Sequence, residues 1–330
     1  MIFIFISETS ATKYFFFIEK YVTMDIDKIN STSFNSQRGD GRLPVVNQPG
    51  RAIGVLFGVF FIMLVLLSAV SSLFFGDGFS AKGMRIFTVV QDLLVFILPA
   101  VVAAFVATRL PASLLSINVK PRLFTVVMAI IVMLTSLPAM EWLIEWNNNL
   151  HLPESMSSIE EVLRSMEDSA STGIGALSGG DSVGDLIMGI LIIGVLTGIA
   201  EELFFRGALQ NLFMSMPRVK KHFAIWAAAF IFSFMHFQFF GFLPRLLLGA
   251  YFGYLIWWSG SVWVPVIAHA VNNSLVVLLS WISLRSGVAE TVEKAASVNI
   301  GSDWYTILLS VAVTALGIIV LRRDALRVRR

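Results

Sequence analysis

The sequence contains no cysteine. That removes disulfides, thiolate metal ligands, a thiol nucleophile and cysteine lipidation together. Charge is scarce as well: 14% of residues are Asp, Glu, Lys or Arg, against about a quarter in a typical soluble domain. A secretory signal is missing from the N-terminus. "MIFIFIS" is too short for an h-region, carries no basic n-region and meets no small-residue cleavage site. The net charge of +2 is nearly balanced, and nucleic acid is not among the expected partners.

What the chain has is apolar length. Hydrophobic residues make up 56% of it and the mean hydropathy is +0.79. Several apolar runs approach 20 residues, the length that crosses a bilayer. Segments at about 54–75, 86–108, 123–139, 186–213, 222–240, 243–258, 261–284 and 304–321 read as spans. Basic residues orient them. Arg38, Arg42 and Arg51 precede the first span; Arg109, Lys120 and Arg122 follow the second. Arg218, Lys220 and Lys221 follow the fourth, and "LRRDALRVRR" closes the chain. The stretch 140–185 is acidic and Ser/Gly-rich, with Arg164 its one basic residue. Eight helices with both termini cytosolic put every basic cluster on one side. The expectation is an all-α, polytopic integral membrane protein, in the inner or plasma membrane of a bacterial host.

The sequence divides accordingly. Residues 1–50 read as a polar, disordered tail, in which 1–23 have the character of an upstream mis-start ahead of "MDIDKINSTSF". A three-helix membrane region with an external acidic loop fills 51–185. Residues 186–285 form a membrane core, and 286–330 hold a loop, the last span and a basic tail. No long internal repeat is visible. Gly194/Gly198 and Gly249/Gly253 have the small-xxx-small spacing that lets helices approach closely.

Polar residues inside the core carry the chemistry. "TGIAEELFFRGALQNLF" at 197–213 puts two glutamates and an arginine within an apolar helix, and ionisable groups in membrane helices point to function. Glu202 and Arg206 are four apart and share a face, so they can neutralise each other. Glu201 points about 100° away and is left for chemistry. Across the basic turn at 217–221, "IFSFMHFQFF" brings His236 to a similar depth. Both Glu201 and His236 lie roughly 21–24 Å from that turn along their helices. Phe232, one turn from His236, packs beside it. In "WVPVIAHAVNNSL", His269 and Asn273 line one face. His222 at the membrane edge and His151 in the external loop read as bystanders. A carboxylate with an imidazole can activate water as a general base, and a second imidazole with an amide can donate to an oxyanion. Glu201, His236 and His269 could alternatively hold Zn2+ in an open site.

The three elements "EELFFRG", "FSFMH" and "HAVNN" resemble the EExxxR, FxxxH and HxxxN motifs of the CPBP family. These are the CAAX-processing and bacteriocin-immunity intramembrane proteases, related to the Ras-converting prenyl-protein peptidase. The resemblance covers about residues 184–284. It implies an eight-helix fold hydrolysing a peptide bond of a membrane-associated peptide or protein inside the bilayer. Glu201 would be the general base and His236 would help position water. His269 and Asn273 would form the oxyanion site, with Glu202, Arg206 and Phe232 supporting. HExxH, rhomboid-type GxSG and aspartyl-type GxGD signatures are absent, which favours a mechanism without an obligatory metal. A proton-coupled transporter and a catalytically idle scaffold or immunity protein are the alternatives; intact motifs and the lack of detectable repeated halves weigh against them.

Overall fold

The computed structural model describes residues 43–75, 80–178, 180, 182–286 and 300–328. The expectations for residues 1–23, and for most of the tail at 1–50, lie outside them. Every regular element described is helical, as a bilayer demands of backbone groups that must be satisfied within each segment. The long helices are α1 (Pro49–Phe75), α2 (Ala81–Ala107), α3 (Leu123–Asn148), α4 (Ser157–Ser178), α5 (Val183–Met214), α6 (Lys221–Phe234), α7 (Phe242–Ser259), α8 (Trp263–Ser286) and α9 (Ile300–Val328). Among the described residues, all of these but α4 and α6 are long and apolar enough to cross a membrane, which makes seven. The chain is an integral, multi-pass helical bundle.

Three elements differ from the sequence reading. The third span does not stop near residue 139 but continues through Pro138 to Asn148. A proline normally breaks the ladder, but a neighbouring helix can re-satisfy the freed groups. Here Ser310 of α9 donates to the Thr135 carbonyl (2.6 Å) and accepts from the Ala139 N–H (3.3 Å). The stretch expected as an external loop is mostly helix: the end of α3, then α4. The segment 222–240 is not one span. α6 has 14 residues, about 21 Å of helix against a hydrocarbon layer of roughly 30 Å.

α6 stops because its end is tied into a turn. Ser233 Oγ donates to the Phe242 carbonyl (2.6 Å), and Phe237 takes a left-handed conformation (φ 52°). Buried Asn147, at the end of α3, clasps this turn from outside. Its side chain donates to the Phe239 carbonyl (3.4 Å) and accepts from the Leu243 N–H (3.1 Å). α4 reaches the same turn, where the Arg164 guanidinium sits 4.0 Å from the Phe240 ring centre.

α5 is the hub. Its regular helix is interrupted by π-helical stretches at Ile190–Leu196 and Leu203–Gln210, a distortion frequent at functional sites. α1 and α2 pack on it through Phe57, Phe60, Phe96, Phe204 and Phe205. The two glycine pairs bring helices close. A Cβ at Gly198 would lie 3.3 Å from the Ala270 nitrogen of α8. One at Gly253 would lie 2.5 Å from Gln210 Oε1 and 2.8 Å from Ile225.

Candidate active site

The charged stretch of α5 separates into a saturated group and an available one. Glu202 and Arg206 are both fully buried, and Arg206 Nη1 donates to Glu202 Oε1 at 2.7 Å. Arg206 Nη2 donates to the Gly249 carbonyl of α7 (3.0 Å), which the absent glycine side chain allows to come near. Its guanidinium lies 4.4 Å from the centre of the Phe232 ring. One turn on, Gln210 repeats the arrangement by donating to the Gly253 carbonyl (3.0 Å). A charge removed from water needs this kind of pairing.

His269 joins the two glutamates. Its Nδ1 is 2.9 Å from Glu202 Oε1 and its Nε2 is 3.7 Å from Glu201 Oε2. An ionised carboxylate can only accept, so Nδ1 carries the proton and Nε2 is the atom presented to Glu201. The ring stacks on Phe252 at 4.9 Å and meets the edge of Phe232 at 6.1 Å. Glu202 thus does more than neutralise Arg206: it fixes the tautomer and orientation of His269. The spacing of the sequence could not show this, because His269 comes from another helix. Glu201 has no hydrogen bond among the described residues, and its side chain is 12% exposed.

His236 lies in the turn, one residue beyond the Met235 cap of α6, and not on a continuing helix. Its Nδ1 donates to the Phe232 carbonyl (2.7 Å), leaving Nε2 as the lone-pair atom of the neutral ring. Phe232 touches both imidazoles, with its centroid 4.9 Å from that of His236. No hydrogen bond joins His236 to Glu201 among the described residues. Asn273 follows His269 by one turn of α8. It donates one N–H to the Ile193 carbonyl of α5 (3.2 Å) and accepts from Asn272 (3.3 Å). An amide nitrogen has two N–H groups, so one remains for a ligand.

Glu201, His236 and His269, the set considered for zinc, do not converge as three metal ligands; no such group occurs among the described residues. The two remaining histidines stand elsewhere. His222 pairs with the Tyr254 hydroxyl (2.7 Å), and His151 pairs with Glu160 (2.9 Å).

Two charged groups near this cluster escaped the sequence reading. Asp92 of α2 is buried and meets Thr197 Oγ1 at 2.8 Å, one turn before Glu201. A lone carboxylate inside the apolar run "VVQDLLVFILP" is the signal that could have found it. Arg245, in the first turn of α7, donates to the Gln238 carbonyl of the turn (3.1 Å) and lies 3.6 Å from Glu167 of α4.

Fold and cluster together define a polytopic membrane protein in which buried Glu202, Arg206 and His269 are flanked by half-buried Glu201, His236 and Asn273. Residues 183–275, which hold all three motifs, match the family model described as Type II CAAX prenyl endopeptidase Rce1-like. This match supports the resemblance to the CPBP family that the motifs carry. An uncharacterized protein of Bacillus subtilis (strain 168), YpbD, is 29% identical over 90 residues. The alignment covers 26% of this chain and 42% of that protein, less than half of the relative's length. No solved structure matches.

Proposed function

We propose that the protein is a CAAX-protease-like intramembrane endopeptidase, in which Glu201 activates the water that hydrolyses a peptide bond of a membrane-associated peptide or protein. The observation carrying this reading is the division between adjacent carboxylates. Glu202 is spent on Arg206 and His269, while Glu201 faces His269 Nε2 with its oxygens otherwise uncommitted. Glu201 takes a proton from water as the oxygen attacks the carbonyl carbon. His236 Nε2 accepts the second O–H and holds the water in line. The tetrahedral oxyanion is met by the open N–H of Asn273 and by His269, which serves as a donor through Nε2 when the ring enters the cycle as the imidazolium and leaves it unchanged. Glu201 then returns its proton to the leaving amine, and the C–N bond breaks.

The test is Glu201→Gln in the full chain. Membrane fractions from cells making the wild type should contain peptide termini that Glu201→Gln reduces by about 10²–10⁴-fold. The unfolding midpoint of the purified variant should stay at the wild-type value. Wild-type amounts of those termini from Glu201→Gln would overturn the assignment. Activity that survives chelation fits the metal-free route; activity restored by added Zn2+ after chelation would replace it.

A further inference from the structure

On the other side of α7 from the catalytic cluster lies an elongated cavity of about 860 Å³. α7 is its floor, α6 stands on one side, and α3 and α9 stand on the other. The volume falls in the range of sites that hold a small organic ligand, and the lining is overwhelmingly apolar. Along α9 it runs from Ile307 to Leu326, about 28 Å at 1.5 Å per residue, close to the depth of a hydrocarbon layer.

The two ends are chemically unequal. At the Ile307 end the walls are Leu143 and Trp142. At the other end the lining includes Arg322 and His222, whose imidazole is held by the Tyr254 hydroxyl at 2.7 Å. Trp257 packs against His222 at 5.2 Å, and Trp226 and Trp258 also line the cavity, as aromatic side chains do at the headgroup level. Arg322 is exposed. Asp324, the acid nearest to it in sequence, is engaged by Arg122 of α3 at 2.7 Å. Arg323 and Lys221 add positive charge to this end of the bundle. The cavity is therefore a long apolar slot with a cationic, aromatic mouth.

We propose that this groove is a binding site for an anionic phospholipid, with the acyl chain along α7 and the phosphate at Arg322 and His222. Charge complementarity selects the headgroup, and the length and dryness of the slot select the chain. α7 separates this site from Glu201, so the binding stands apart from the proposed catalysis. The shared helix does link them mechanically: its Gly249 and Gly253 carbonyls hold Arg206 and Gln210.

The experiment uses the full chain in detergent, with dioleoyl phosphatidylglycerol and dioleoyl phosphatidylcholine as probes, and reads bound lipid by native mass spectrometry. Phosphatidylglycerol should be retained in preference. Arg322→Gln should reduce that preference by about fivefold, the effect of one cation near a charged lipid surface. Ala315→Phe, which fills an exposed part of the slot, should reduce retention of both lipids while the protein still folds. Equal retention of the two lipids by the wild type, or an unchanged preference in Arg322→Gln, would overturn the proposal. So would displacement of phosphatidylglycerol by geranylgeraniol at equal concentration, which would make the slot an isoprenoid site.

Discussion

The molecule builds nearly the same polar cluster twice. On α4, Glu160 accepts from Arg164 four residues later (2.9 Å) and pairs with His151 Nδ1 (2.9 Å), and the guanidinium covers Phe240. On α5, Glu202 accepts from Arg206 four residues later (2.7 Å) and pairs with His269 Nδ1 (2.9 Å), and the guanidinium covers Phe232. Each sequence even offers a second glutamate next door, Glu161 or Glu201. What differs is water. Glu202 and Arg206 are inaccessible to it, whereas the Arg164 side chain is 35% exposed. Spacing alone makes an ion pair; the surroundings decide whether that pair is expendable or holds a site together.

Breaking the two clusters should separate them widely. Glu202→Ala leaves Arg206 charged and uncompensated in a dry interior, which costs about 3–5 kcal/mol of stability. It also frees His269 to turn. Glu160→Ala removes a pair that solvent already screens, and its effect should be small. Unfolding midpoints of the purified variants in one detergent check this. Equal losses in the two variants would mean that burial is not what distinguishes the clusters.

That contrast also marks what could be read from sequence. The spans of α1, α2, α5, α8 and α9 follow from the length of their apolar runs and the i,i+4 face of Glu202 and Arg206 from helical spacing, so both were legible. The course of α3 through Pro138 was not, because the repair comes from Ser310, far away in the chain. The early end of α6 was hidden for the same reason: Asn147 and Phe242 set it. At the site, residue types pointed to proton chemistry, but the hydrogen bond from His269 to Glu202 depends on how α8 meets α5. Both "EEVLR" on α4 and "EELFFR" on α5 offer an i,i+4 Glu–Arg pair, from the first glutamate in one and the second in the other; the surrounding apolar run marked α5 as the place for catalysis.

A subtler substitution sharpens the comparison. Arg206→Lys keeps the charge but loses the fork that serves Glu202 and the Gly249 carbonyl together. One buried acceptor then lacks a charged donor, at about 1.5–3 kcal/mol. Arg164→Lys gives up contacts to the Leu150 carbonyl (3.1 Å) and to Phe240, in a place where water can substitute. Chemical denaturation should therefore rank Arg206→Lys well below the wild type and Arg164→Lys close to it. The reverse ranking would assign the anchoring role to α4.

The smallest expected effect is a dependence on acid that belongs to α4. The Leu152 N–H bonded to Glu160 holds its carboxyl down at about 2, helped by Arg164 and His151. In the unfolded chain the same group titrates near 4.5. Because folding lowers the value, the contribution to stability is complete above 4.5 and is lost as pH falls through that range towards 2. Glu160→Gln should lie slightly below the wild type at neutral pH, and the two unfolding curves should converge on acidification. The offset stays small because the carboxylate is screened by solvent. A Glu160→Gln offset that persists unchanged into strong acid would show that the carboxylate's charge is not what ties α4 to the Leu152 backbone.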